Sequence, residues 1–155
     1  MTKVFLAIRA GLGVLTKAYV YGSKPPLVEG DFLTTDCSGF TRWLVWKAGV
    51  YSIRSPEDGL LHPIAGFTGS VRQFELCRAI AVEVARANIG CFLFVKPKGS
   101  QGQPGFKPGH VALSLGHDYT LEARGSEGVC IVKPSENKKR GWTRAGKLDS
   151  LFEEA

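Results

Sequence analysis

A cysteine stands where a helix is predicted to begin. After Cys37, apolar side chains recur at the spacing of one helical face: Phe40, Trp43, Leu44 and Ala48. Thr35 or Asp36 can cap this helix, because either side chain can accept a hydrogen bond from a backbone N–H of the first turn. A thiol at this position lies against unpaired N–H groups and the positive end of the helix dipole, and both favour the thiolate. Cys37 is therefore a candidate nucleophile, provided that a base lies close to it.

The base must be one of three histidines, and His110 is the one that opens a predicted strand, residues 110–115. A second strand, 119–123, follows after the turn residues 116–118. If a three-residue turn closes this hairpin symmetrically, Leu115 faces Tyr119 and Ala112 faces Glu122. Side chains alternate along a strand, so Glu122 lies on the same face as His110 in the diagonal position, where a carboxylate can reach an imidazole N–H.

These three side chains could form a nucleophile, a base and an orienting group. A carboxylate favours the imidazolium form of His110, and an imidazolium near the helix start favours the thiolate of Cys37. The backbone N–H groups of Cys37 and Ser38 could stabilise an oxyanion. On spacing alone, a buried cysteine, an edge-strand histidine and a solvated glutamate without mutual contact fit the sequence equally well.

Composition excludes several other classes of protein. With 155 residues, 44% hydrophobic and 22% charged, the chain is predicted to be one globular domain, residues 1–155. The net charge of +6 suits an anionic polymer, but residues 138–140 are the only basic run and are too short to indicate a nucleic-acid partner. The four cysteines lack the spacing of zinc sites, and we expect no metal and no cofactor. Three of them, Cys77, Cys91 and Cys130, are expected to be small buried hydrophobic residues.

The remaining elements indicate an α+β fold in which helices precede a small antiparallel sheet. Residues 3–18 are predicted to form an amphipathic helix with Phe5, Ile8, Leu12 and Leu15 on its buried stripe. Residues 50–69 are predicted to be an irregular connection, and 70–88 a helix that opens with a capping box of Ser70 and Gln73. Predicted strands at 91–95 and 129–132 complete the sheet. A loop at 96–109 is expected to cover or shape a site.

Four segments together resemble the NlpC/P60 family of papain-like cysteine peptidases. They are Tyr19-Val20-Tyr21-Gly22, Asp36-Cys37-Ser38-Gly39-Phe40, Gly109-His110-Val111-Ala112-Leu113-Ser114-Leu115-Gly116 and Leu121-Glu122-Ala123. The resemblance spans residues 18 to about 132. It implies a papain-like fold with the nucleophile at a helix N-terminus, and a peptidase or amidase that cuts between D-glutamate and a diamino acid in peptidoglycan stem peptides.

The resemblance also implies a role for each matching residue. Cys37 would be the nucleophile, His110 the general base and Glu122 the orienting residue. Tyr19 would stand near the oxyanion or the substrate, while Asp36 and Ser38 would lie near the amino end of the substrate. No cofactor and no metal are implied, and the partner is a peptidoglycan peptide.

The chain also departs from the family pattern. Glu122 stands where the family most often has histidine, Ser23 replaces the second glycine of Tyr-x-x-Gly-Gly, and Cys91 stands where the Gly-Asp-Leu-x-Phe strand has its acid. The interval from Cys37 to His110 is also long, and residues 50–90 are expected to add a wall to the cleft. These departures bear on the substrate more than on the mechanism.

Two other functions stay open: a wall- or peptide-binding structural module that does not cut, and an acyltransferase or thioesterase with the same triad. We find no signal peptide and no stretch long enough to span a membrane. We therefore expect synthesis in the cytoplasm and action at the cell wall after delivery by a phage, an effector system or lysis. The oligomeric state is left open.

Overall fold

The computed structural model describes residues 1–95 and 109–155. Helices in these ranges are α1 (Lys3–Leu12), α2 (Cys37–Lys47), α3 (Ser70–Leu76), α4 (Val82–Ala87) and α5 (Pro134–Asn137), with short 3-10 helices at Ile64–Gly66 and Asp149–Phe152. Strands are β1 (Ala18–Tyr19), β2 (Thr34–Thr35), β3 (Ser52–Arg54), β4 (Leu61–Pro63), β5 (Arg78–Ile80), β6 (Phe92–Val95), β7 (His110–Gly116), β8 (Tyr119–Arg124), β9 (Gly128–Val132) and β10 (Arg144–Lys147). No helix in the described ranges is long and apolar enough to cross a bilayer.

The main sheet is antiparallel and has the strand order β5-β10-β6-β7-β8-β9 in the described part of the chain. Helix α2 packs on β7 and β8, and α1 packs on α2. The core between them is rich in aromatic side chains, among which Phe40, Trp43 and Phe92 are at most 1% exposed. The predicted α+β architecture is therefore confirmed, and the start of α2 lies against the strands that carry His110 and Glu122.

The first helix differs from its prediction in length and in orientation. It ends at Leu12 instead of residue 18, where glycines at 11 and 13 lower helix propensity. Its buried face holds Val4, Ala7 and Gly11, whereas Phe5 is 49% exposed. Small residues form the buried face because α1 approaches its neighbours closely. A Cβ on Gly11 would lie 2.6 Å from Leu121 Cδ2.

The region predicted as irregular, residues 50–69, contains the hairpin of β3 and β4 and a 3-10 helix. The predicted helix 70–88 is also wrong. This stretch instead forms three short elements, α3, the sheet strand β5 and α4. Ser70 does not cap α3, because Gly69 occupies the N-cap position with φ of 80°. Gln73 is fully buried and bonds elsewhere.

The hairpin of β7 and β8 has the predicted register at two pairs, Leu113 with Leu121 and Ser114 with Thr120, but Gly116 rather than Leu115 pairs with Tyr119. The pairing of the two strands runs from Leu113 to Gly116, so the predicted Ala112–Glu122 pair stays a prediction. The turn holds two residues, His117 and Asp118, both with positive φ, and a bulge after Ser114 absorbs the extra residue. The strand predicted at 91–95 is confirmed as β6, and that at 129–132 as β9. Of the loop predicted at 96–109, residues 96–108 lie outside the described residues.

The C-terminal segment adds a strand that the sequence pattern does not reveal. β10 lies inside the sheet, between β5 and β6, although its sequence Arg-Ala-Gly-Lys is not typical of a buried strand. Gly146 is required there, since a Cβ would lie 2.4 Å from Cys77 Cβ. The segment also carries Trp142, Leu148 and Leu151 back onto the core.

Candidate active site

The nucleophile candidate lies in the first turn of α2, as predicted. Asp36 is the N-cap, and its Oδ1 accepts a hydrogen bond of 2.6 Å from Gly39 N. Only glycine fits at position 39, because a Cβ there would lie 2.7 Å from that oxygen and 2.9 Å from the carbonyl oxygen of Ser23. The Cys37 residue is 8% exposed. The thiol thus stands at a helix start whose first backbone N–H groups have no acceptor within the helix.

The buried side chain of Gln73 hydrogen-bonds to the first turn of α2. Gln73 Nε2 donates to the backbone oxygen of Ser38 at 2.7 Å and to that of Phe67 at 3.0 Å, and Gln73 Oε1 accepts from Thr41 Oγ1 at 2.7 Å. The sequence pattern placed Gln73 in a capping box and missed this role. Part of the long 50–90 segment therefore supports the first turn of α2; its role as a wall of the cleft stays a prediction.

The pairing of β1 with β2 places Tyr19 near the start of α2. These short strands pair in parallel, with Tyr19 opposite Thr35. A turn follows β1 directly: Ser23 N donates to Val20 O and Gly22 has positive φ, so Ser23 is compatible with this turn. Partial burial raises the pKa of Tyr19, and negative charge on Cys37 and Asp36 raises it further. The phenol therefore lies within electrostatic reach of both groups.

Asp36 uses both carboxylate oxygens within the protein. Oδ1 caps the helix, and Oδ2 forms an ion pair of 3.0 Å with Lys24 Nζ. Asp36 is 7% exposed and Ser38 is 4% exposed. Both residues are at the start of α2 beside Cys37, as expected, but the predicted contact of either residue with a substrate stays a prediction.

The hairpin of β7 and β8 brings the histidine and the glutamate together. His110 Nε2 lies 2.9 Å from Glu122 Oε1, and the two side chains are 19% and 0% exposed. The Cys37 side chain raises the pKa of His110, so the thiol stands close to the imidazole ring. Because Nε2 is taken by Glu122, Nδ1 is the nitrogen left for the sulfur. The three residues that the sequence analysis selected are thus brought together in one row, with a hydrogen bond between His110 and Glu122.

The charges of this row support one another. Burial lowers the pKa of His110, but hydrogen bonds and charge interactions with Cys37 and Glu122 outweigh it and raise the pKa to about 9. Burial raises the pKa of Glu122, whereas His110 and Arg140 lower it to about 2. At neutral pH the structure therefore holds His110 as an imidazolium beside the ionised carboxylate of Glu122.

Three residues around Glu122 were missed by the sequence analysis. Arg140 NH2 donates to Glu122 Oε1 at 2.6 Å and Arg140 NH1 to Oε2 at 2.7 Å, while Thr120 Oγ1 donates to Oε2 at 2.6 Å. Asn137, which is 2% exposed, donates to Thr120 Oγ1 at 3.1 Å and accepts from Arg140 NH1 at 3.1 Å. In the sequence, Arg140 is the last residue of the basic run 138–140, and nothing distinguishes it from its two exposed neighbours.

The other titratable candidates lie elsewhere or do different work. His62 bonds locally to Asp58 at 3.2 Å, and His117 is exposed at the hairpin turn. Cys77 and Cys91 are buried as expected, while Cys130 is only partly buried. Burial raises the pKa of each of these three thiols. No group of three or more His, Cys, Asp or Glu side chains within residues 1–95 and 109–155 could hold a metal ion.

Comparison with known proteins decides the family. The model of the NlpC/P60 family matches residues 16–146. The chain belongs to the NlpC/P60 family. Its members are typically peptidoglycan hydrolases, although some are non-catalytic. No curated protein shows significant sequence similarity to the chain.

Solved NlpC/P60 structures share the fold. The NlpC/P60 domain of the peptidoglycan hydrolase SagA is 23% identical, with a TM-score of 0.62 over 94% of this chain and 98% of that one. RipD from Mycobacterium tuberculosis, a non-catalytic domain protein adapted to peptidoglycan binding, is 20% identical, with a TM-score of 0.56 over 95% and 98%. A lipoprotein-like NLP/P60 protein from Staphylococcus aureus is 20% identical, with a TM-score of 0.60; the match covers 94% of this chain but spans only 41% of that protein.

Proposed function

We propose that this NlpC/P60 chain is a cysteine peptidase or amidase that hydrolyses an amide bond of peptidoglycan stem peptides, with Cys37, His110 and Glu122 as its triad. The observation that carries the proposal is the placement of His110, whose Nε2 lies 2.9 Å from Glu122 Oε1 and whose pKa is raised by the neighbouring Cys37. A domain that only binds peptide has no need of a thiol paired with a charged imidazole.

The chemistry follows from this geometry. The Cys37 thiolate attacks the carbonyl carbon, and backbone N–H groups at the start of α2 stabilise the oxyanion together with Tyr19. His110 gives its proton to the leaving amine, so that the carbon–nitrogen bond breaks and a thioester remains. Neutral His110 then takes a proton from water, whose oxygen attacks the thioester. The acid is released, and the ion pair of Cys37 and His110 is restored.

The substrate is proposed from the family rather than from the cleft. A bond between D-glutamate and a diamino acid is the expected target. The partner is a peptidoglycan peptide, with no nucleic-acid partner, and the place of action is the cell wall after delivery by a phage, an effector system or lysis. Because SagA is named a peptidoglycan hydrolase and RipD non-catalytic, both outcomes exist within this fold.

The test is mass spectrometry of muropeptides before and after incubation of purified peptidoglycan with the protein. We expect the wild type to release shorter stem peptides, and Cys37→Ala to release none, with unchanged thermal unfolding. Products from Cys37→Ala, or none from the wild type despite tight sedimentation with peptidoglycan, would contradict the proposal; the second result favours a binding module. Adding a free amine distinguishes an acyltransferase, which would yield amide products instead of free acid.

A further inference from the structure

The carboxylate of Glu122 has all its acceptor positions filled. Oε1 accepts from His110 Nε2 at 2.9 Å and from Arg140 NH2 at 2.6 Å, while Oε2 accepts from Arg140 NH1 at 2.7 Å and Thr120 Oγ1 at 2.6 Å. Two carboxylate oxygens offer about four lone-pair sites. The two-pronged contact from Arg140 fixes the plane of the carboxylate and therefore the direction from which Oε1 meets the imidazole.

Arg140 is itself held on several sides. Its side chain is 16% exposed, and Asn137 Oδ1 accepts from its NH1 at 3.1 Å. Its guanidinium lies over the Trp142 ring, 4.5 Å from the centroid, and the same ring stacks on His110 with centroids 6.3 Å apart at 27°. Arg140 and Trp142 thus join the carboxylate and the imidazole in one packed unit.

We propose that Arg140 is a positioning residue that holds Glu122 ionised and aimed at His110 Nε2. This inference rests on the proposed function, since the orientation matters for a His110 that accepts and returns a proton. The physical need arises because the Glu122 side chain is 0% exposed and burial disfavours its charge. When His110 is neutral during turnover, Arg140 remains as a permanent positive charge beside the carboxylate.

Arg140 also moderates the charge that His110 experiences. The charged and titratable groups facing Glu122 are His110 on β7, Cys130 opposite it on β9, Arg124 on its own strand, and Arg140 with Glu136 from the α5 region. Arg124 is engaged by Glu136 and Glu127. Arg140 is therefore the cation that offsets the charge of Glu122. Without it, the uncompensated carboxylate stabilises the imidazolium more strongly and the pKa of His110 rises.

Two substitutions separate charge from geometry. Arg140→Gln removes the positive charge and the two-pronged hydrogen bonding to Glu122. We expect kcat on a stem peptide to fall about ten- to a hundredfold, a typical cost of losing a group that orients a functional histidine, with KM within about twofold. The titration of His110, followed by NMR of its ring Cε1–H, should shift upward by about one pH unit. Arg140→Lys keeps the positive charge but loses the two-pronged hydrogen bonding to Glu122. We therefore expect kcat to fall while the pKa of His110 is unchanged.

Lys139→Gln is the matched control, because this exposed neighbour carries the same charge and should leave kcat and the titration unchanged. The proposal is overturned if Arg140→Gln behaves like Lys139→Gln, or if it lowers only the melting temperature without moving the His110 titration. If Arg140→Gln does not fold, the single variant Glu122→Gln is compared with the double variant Glu122→Gln/Arg140→Gln instead. If Arg140 acts through Glu122, the titration of His110 is the same in these two variants. If the wild type cuts no peptide, the proposed function fails, whereas the titration still tests Arg140.

Discussion

At the scale of single residues, the site is a chain of partners in which each group depends on the next. In the proposed mechanism, Cys37 depends on His110 for its charge, and His110 depends on Glu122 for its orientation. Glu122, completely buried, depends on Arg140 and Thr120 for three of its four hydrogen bonds, and the fourth comes from His110. Losing a partner from such a buried network costs more than an exposed ion pair does, because the remaining group keeps its desolvation penalty.

The proposed role of Glu122 can be tested by separating its hydrogen-bond acceptor from its negative charge. Glu122→Gln keeps a carbonyl oxygen that can accept from His110 Nε2, whereas Glu122→Ala removes the acceptor and leaves Arg140 without its carboxylate. We therefore expect Glu122→Gln to retain more peptidase activity than Glu122→Ala, and both to fall below the wild type. Initial rates on a defined stem peptide measure this order. The reverse order would remove Glu122 from the triad.

Sequence patterns selected the candidate catalytic residues, which the structure brings together, but not the residues that support them. Cys37, His110 and Glu122 could be selected because their chemistry is specific and an alternating strand places two of them on one face. Arg140, Asn137 and Gln73 could not, since they contact the site across long sequence separations. Thr120 is only two positions from Glu122, but threonine is common in strands and its type alone does not mark a role. Arg140 lies 18 positions from Glu122, and Gln73 lies 35 positions from Ser38.

At the scale of elements, helix α2 presents the thiol, and its N-cap decides where the helix begins. The Asp36 carboxylate accepts from Gly39 N at 2.6 Å, in a region where Gly39 is the only residue that fits without a clash. The ion pair with Lys24 is a second and weaker function of Asp36, because Lys24 is 37% exposed. The cap and the ion pair can be told apart by substitution.

Asp36→Asn keeps a capping oxygen and removes the charge, so the free energy of unfolding should remain close to that of the wild type. Asp36→Ala removes the cap and should lower it by about 1 kcal/mol, within a usual range of roughly 0.5–2 kcal/mol. Urea unfolding measures both. Equal losses in the two variants would assign the stabilisation to the ion pair instead. A raised KM in well-folded Asp36→Asn would support the predicted contact between Asp36 and the substrate.

Short elements were the least predictable part of the fold. The three-residue strands β3, β4 and β5 are too short to show an alternating pattern, and β5 interrupts a stretch whose apolar spacing favours one helix. In α1, the spacing of large apolar residues favoured a stripe that faces solvent, because Ala7 and Gly11 allow a closer approach to the core. Tertiary packing overrides local preference in each case.

At the scale of the whole molecule, the strands of the antiparallel sheet bring His110, Glu122 and the start of α2 together, and this arrangement couples the site to stability. The pKa of Glu122 falls from 4.5 to about 2 on folding, so its contribution is present above pH 4.5 and is lost as pH falls toward 2. The pKa of His110 rises from 6.5 to about 9, so its contribution is complete below pH 6.5 and is lost as pH rises toward 9.

The site should therefore stabilise the fold most between about pH 4.5 and 6.5. Urea unfolding of the wild type across pH 3 to 9 should show a maximum in that window, whereas His110→Gln should lose the alkaline decline. The acid decline should persist in His110→Gln, because Arg140 still favours ionised Glu122. An alkaline decline of equal size in the variant would show that other groups, not this ion pair, govern stability above pH 6.5.

The central claim is that folding turns one of four cysteines into a reactive thiolate, and alkylation tests it most directly. Native protein is treated with iodoacetamide near neutral pH, quenched over time, and the modification of each cysteine is measured by mass spectrometry. We predict that Cys37 reacts well before Cys77, Cys91 and Cys130, and that His110→Ala slows Cys37 alone. Equal rates at all four cysteines, or a Cys37 rate that does not change in His110→Ala, would contradict the account.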